Sequence, residues 1–149
     1  MDYEILDEVL NFLNTGNINL NHSNFSNYDK LSHKDIDSAD KSNGFYIFHR
    51  DIEKVINSYL KPYNLSGKLF GVYFDKFVST TRMATIVIQD NTSKDYELNV
   101  EKFKDTVNKS AIINKLNKVS PSKVSVASIT YCYTKAYNVY SIDVVYKKK

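Results

Sequence analysis

At 149 residues, with 42% hydrophobic and 25% charged side chains, the chain has the size and composition of one globular domain able to bury a core without disulfides or metals. Those proportions and a formal net charge of +3 exclude the low-hydrophobicity, high-charge regime in which chains stay disordered. The acidic start Met-Asp-Tyr-Glu is unlike a secretory signal, no apolar run approaches the roughly 20 residues of a membrane helix, and a single cysteine, Cys132, rules out an internal disulfide and a cysteine-based metal site.

Residues 2–13 set Ile5, Leu6, Val9, Leu10, Phe12 and Leu13 on one face, with acids in the first turns, and predict an amphipathic helix ended by Gly16. Residues 17–44 are rich in asparagine and serine, with scattered apolar residues, and predict an extended arm or a loop that orders against a partner. Its apolar anchors, Leu20, Phe25, Tyr28 and Leu31, are the candidate protein-contact residues. Phe45 to Phe48 fits either a strand or the lead-in to a helix; from Asp51 the spacing of Ile52, Val55, Ile56, Tyr59 and Leu60 predicts a second helix over 51–61, capped by Asp51 and barred by Pro62.

Residues 68–78 and 82–90 are aromatic and β-branched, and predict a hairpin broken at Ser79-Thr80-Thr81. A turn at 90–93 and a short extended piece over Tyr96 to Leu98 lead to a third helix, about 99–117, capped by Asn99. Its apolar stripe, Val100, Phe103, Val107, Ala111 and Leu116, suits a helix laid across a sheet. After Pro121, residues 123–134 and 138–147 predict a second hairpin. The fold class is α+β: one domain over 1–149, two antiparallel hairpins (about 68–90 and 123–147) in one sheet, a crossing helix and two N-terminal helices. The hairpins flanking the third helix are candidates for equivalent units.

No motif points to chemistry. His49-Arg50-Asp51 matches the tripeptide of the protein-kinase catalytic loop, but the metal-binding asparagine required five residues later is Ile56, and no glycine-rich phosphate loop exists among only four glycines. His22, His33 and His49 lack metal-ligand spacing, and Asp29, Asp35, Asp37 and Asp40 sit in a hydrophilic segment. The expectation is therefore no catalytic residue, cofactor or metal.

Charge is the most informative feature. Residues 1–40 hold two lysines against eight acids, a balance of −6, whereas residues 100–149 hold ten lysines against three acids, a balance of +7. Two functions use this asymmetry. In the first, a non-catalytic structural or interaction protein makes protein contacts through its arm and its oppositely charged ends, and can self-associate into a ring or larger assembly. An abundance of Lys, Asn, Ile and Tyr, matching an AT-rich genome, suits a small component of a phage or viral particle. In the second, Tyr131, Tyr133, Lys135, Tyr137, Lys147, Lys148 and Lys149 bind nucleic acid. Against it stands the scarcity of arginine, only Arg50 and Arg82 among 20 basic residues. The expected location is the cytoplasm or a particle, with no membrane partner.

Overall fold

The computed structural model describes residues 28–30, 48–78, 80–90, 95–135 and 138–149. The predicted helix over 2–13 and most of the arm, including Leu20, Phe25 and Leu31, lie outside the described residues. Within the arm, Tyr28–Lys30 form a strand, β1. It is followed by helix α1 (Phe48–Leu60), a 3-10 turn (Lys61–Tyr63) and strands β2 (Leu65–Asp75) and β3 (Thr81–Asp90). Helices α2 (Tyr96–Thr106) and α3 (Lys109–Val119) precede β4 (Val124–Thr134) and β5 (Val139–Lys148).

The strands make one antiparallel sheet in the order β1-β2-β3-β5-β4, so the fold is α+β. The four long strands β2-β3-β5-β4 read alike from either side: each outer-inner pair is a hairpin preceded by a helix, α1 before β2-β3 and α3 before β4-β5, and the inner strands β3 and β5 are antiparallel. The two hairpins are therefore related by an approximate two-fold through the centre of the β3–β5 pairing. Even the irregularities repeat, with a bulge between Leu69 and Gly71 in β2 and another between Val126 and Ser128 in β4.

Alternation decides which side chains meet the helices. Ala84, Ile86 and Ile88 of β3, with Ile142, Val144 and Tyr146 of β5, pack with Ile52, Ile56 and Leu60 of α1, Phe103 of α2 and Ile112 and Leu116 of α3. Burial of each such large side chain contributes roughly 1.5–3 kcal/mol. Close approach of α1 to the sheet requires Gly67: a β-carbon there would fall 2.5 Å from Ile86 Cγ2 and 3.1 Å from Leu60 Cδ1.

Several boundaries differ from expectation. The second helix begins at Phe48, so Asp51 lies in its first turn rather than at its cap, and the chain continues past Leu60 as a 3-10 turn with Pro62 at its start, where a missing N–H costs nothing. Asn64, at φ 58°, ends it. Lys76 to Val78 form a turn rather than strand, while pairing begins earlier, at Leu65. The extended piece expected at Tyr96 to Leu98 is helical, because the buried Tyr96 hydroxyl donates to the Ile88 carbonyl at 2.7 Å and accepts from the Tyr140 N–H at 2.8 Å. The third helix is two helices. Val107 is extended, and the Asn108 side chain accepts from the Ser110 N–H at 2.8 Å to cap a new helix.

Candidate interaction surfaces

The C-terminal lysines belong to a larger group. At the turn between β2 and β3, Asp75 Oδ1 accepts from the N–H groups of Phe77 (2.8 Å) and Val78 (3.2 Å), and the Val78 carbonyl accepts from the Thr81 N–H at 3.0 Å. This aspartate-nucleated turn holds two apolar side chains in solvent, Phe77 at 79% and Val78 at 48% exposure. Alongside, the Lys148 N–H donates to the Thr80 carbonyl at 3.0 Å and the Lys149 N–H to the Lys123 carbonyl at 2.7 Å. One end of the sheet thus carries Lys76, Lys123, Lys147, Lys148 and Lys149, all exposed, around an apolar tip. Lys123 and Lys147 to Lys149 make no ion pair with any described residue.

The tyrosines expected to join these lysines lie at the other end. Tyr133 pairs with Tyr140 while Ser125 pairs with Lys147, and the eight intervening steps of strand span about 25 Å. Tyr133, 44% exposed, stacks on Tyr140 with centroids 4.6 Å apart, and its hydroxyl donates to Asn138 Oδ1 at 2.8 Å. Tyr131 sits edge-on to Phe103 at 5.8 Å beneath the Lys109 ammonium, 4.7 Å from the ring centroid; burial raises its phenol above the ordinary value. Lys135 is exposed near this end, and Tyr137 lies outside the described residues. The predicted nucleic-acid residues therefore form two separate patches.

The sheet face opposite the helices carries a buried polar group. Asp143, fully buried, accepts from the Thr85 hydroxyl at 2.7 Å and the Cys132 thiol at 3.2 Å, one on each carboxylate oxygen. These partners stabilise a buried charge that would otherwise be costly. Tyr73 of β2 feels it: burial first, and the Asp143 charge second, push its phenol well above the ordinary value. His49 is buried against the Tyr146 ring, centroids 5.8 Å apart; Asp29 lies in β1, and His22, His33, Asp35, Asp37 and Asp40 lie outside the described residues. Among the described residues no group of three His, Cys, Asp or Glu side chains could hold a metal ion, and no helix is long and apolar enough to cross a membrane.

An open groove of about 280 Å³ between α1 and α3 is lined by Asp51, Lys54, Val55, Ser58, Lys115 and Val119. It is smaller than most ligand pockets and mixed in charge. Comparison with known proteins finds no matching family model, no matching curated protein and no matching solved structure.

Sequence reasoning missed Phe77 and Val78, which continue the apolar run of β2 and look like strand. The available signal was Asp75, two and three residues ahead, a frequent turn nucleator.

Proposed function

We propose that the chain is a non-catalytic structural or interaction protein, a small component of a phage or viral particle or another assembly, that docks on acidic protein surface through the basic end of its sheet. The observation that carries this reading is the cluster of five exposed lysines around the projecting Phe77 and Val78. Lysine ammonium groups offer charge without the bidentate geometry that arginine brings to phosphate and guanine, and a rigidly held apolar tip within them supplies area to bury. The acidic residues 1–40 of another copy have the complementary charge, which suits head-to-tail association. Mutual hydrogen bonding of Thr85, Cys132 and Asp143 within a sheet supports a structural role for that cluster.

Sedimentation of the full chain at low and high salt tests the reading. Association should weaken with salt and be lost in K147E/K148E/K149E with Phe77→Ser; association that ignores both changes would sink it. Nucleic acid is the second reading, because the same lysines can neutralise phosphates and Phe77 offers a ring to an unpaired base. Anisotropy of labelled single- and double-stranded DNA separates the two. Binding that falls steeply with salt and disappears in the triple lysine variant favours nucleic acid, and no binding at low salt favours protein.

A further inference from the structure

The outer strands of the two hairpins, β2 and β4, differ in how their outer edges are covered, and the difference points to a second interaction surface. In an antiparallel sheet the backbone groups of successive residues point alternately to the two neighbours. Because the Lys148 N–H reaches Thr80 of the β3 side and the Lys149 N–H reaches Lys123 of the β4 side, even-numbered residues of β5 face β3 and odd-numbered ones face β4. The pairings Ser128↔Val145, Thr130↔Asp143 and Cys132↔Ser141 then turn the backbone groups of Ile129, Tyr131 and Tyr133 outward. Before the bulge, Val124 and Val126 point outward instead.

Those first two are occupied. Asn117 of α3 accepts from the Val126 N–H at 2.9 Å and donates to its carbonyl at 3.4 Å, while the Val124 N–H donates to Pro121 and its carbonyl accepts from the Ser120 hydroxyl. No backbone or side-chain group of the described residues engages the outward N–H and C=O groups of Ile129, Tyr131 and Tyr133. Nor does this edge carry the usual protections: Val124–Thr134 contains no charged residue and no proline, whereas exposed edges are ordinarily blunted by lysine, proline or a covering segment.

We propose that the Ile129–Tyr133 edge pairs with the same edge of a second copy of this chain, antiparallel about a two-fold axis at Tyr131, to make one continuous sheet through two molecules. The occupant follows from the edge itself. In that register Ile129 faces the partner copy's Tyr133 and Tyr131 faces its counterpart, so each outward donor meets an outward acceptor and none is left over. The Asn117 clasp at Val126 stops the pairing at one end and the turn after Thr134 stops it at the other. Exposed Lys135 falls opposite exposed Ala127, so no like charges oppose one another along the strands. This extends the reading of an assembly component to a second surface, but does not depend on the basic end. Its salt response is also different: the paired strand carries no charged residue, and the Lys109 ammonium over each copy's Tyr131 ring has no opposite charge to meet on the other copy's strand, so salt should leave pairing unchanged or strengthen it.

The experiment is sedimentation equilibrium over a wide protein concentration range, with residue-resolved amide exchange on the same samples. A dimer is expected in which the Ile129, Tyr131 and Tyr133 amides gain at least about tenfold protection as concentration rises. Ala127→Lys would oppose Lys135 of the other copy and should raise the dissociation constant about tenfold or more, and A127K/K135E should restore it. Tyr133→Pro removes one outward N–H, spares every strand bond within the chain, and should dissociate the dimer. Far-UV circular dichroism establishes that each variant is folded; should Tyr133→Pro fail to fold, the Ala127 and Lys135 pair still decides the matter. A chain that stays monomeric, a dimer whose three amides remain unprotected, or a double variant no tighter than Ala127→Lys would overturn the proposal. None of these outcomes bears on the salt-weakened contact of the basic end.

Discussion

Strands β2 and β4 occupy equivalent places in the two helix–hairpin units, yet one outer edge is closed and the other is half open. Along β2, Asn57 of α1 accepts from the Gly67 N–H at 2.6 Å and donates to its carbonyl at 2.8 Å, Glu53 accepts from the Leu69 N–H at 2.8 Å, and β1 pairs with Tyr73 to Asp75. Along β4, Asn117 makes the corresponding clasp on Val126, but no described strand continues the cover beyond it. The lesson is that a helix side chain can close only the first turn or so of an adjacent strand, because helix and strand diverge. The remainder of the edge needs a strand of its own.

Of the contacts that close the β2 edge, the one at Gly67 is the most costly to disturb. Because α1 and Ile86 both press on it, Gly67→Ala should cost about 3 kcal/mol, the upper part of the range for overpacking, read as a fall in the urea midpoint at unchanged m-value. Next comes the clasp itself. Asn57→Ala leaves a donor and an acceptor of Gly67 without partners in a partly buried site, at about 2 kcal/mol. Asn117→Ala, at an exposed position, should cost about 1 kcal/mol and chiefly speed exchange of the Val126 amide. Equal costs for the two asparagines would show that exposure of the clasping side chain does not set the strength of the clasp.

The smallest effect concerns the opposite sheet face and is confined to alkaline solution. The Tyr73 phenol is raised by burial and by Asp143, so the folded state favours the neutral form. That contribution is fully present below the unfolded-state value near 10 and is lost as pH rises through the folded value. Tyr73→Phe should therefore flatten the decline of stability above about pH 10. A decline of unchanged slope in denaturant titrations would show that other groups dominate.

Much of the fold was legible in the residues because the relevant signals are local. Period-two runs located both hairpins to within a few residues, and the spacing of Ile52, Val55, Ile56 and Leu60 located α1. The break of the third helix was legible in principle, since Asn108-Lys109-Ser110 is a capping signal, but it was masked by an apolar stripe that continues across both helices. The helical state of Tyr96 was not legible: it rests on bonds to Ile88 and Tyr140, which are 8 and 44 residues away. For the candidate surfaces, charge counting found the lysines of residues 147–149, while grouping them with Tyr131 and Tyr133 failed because a strand places its two ends about 25 Å apart.

Patterning and composition act residue by residue, so the α+β class, the antiparallel hairpins and the polarity of charge along the chain follow from them directly. Tertiary structure alone decided that Lys76 and Lys123 join the C-terminal lysines around Phe77, that Asp143 finds Thr85 and Cys132, and that Asn57 and Asn117 clasp opposite edges of one sheet. Each of these depends on strand order and register, and a shift of one residue in register would turn the same side chains to the other face.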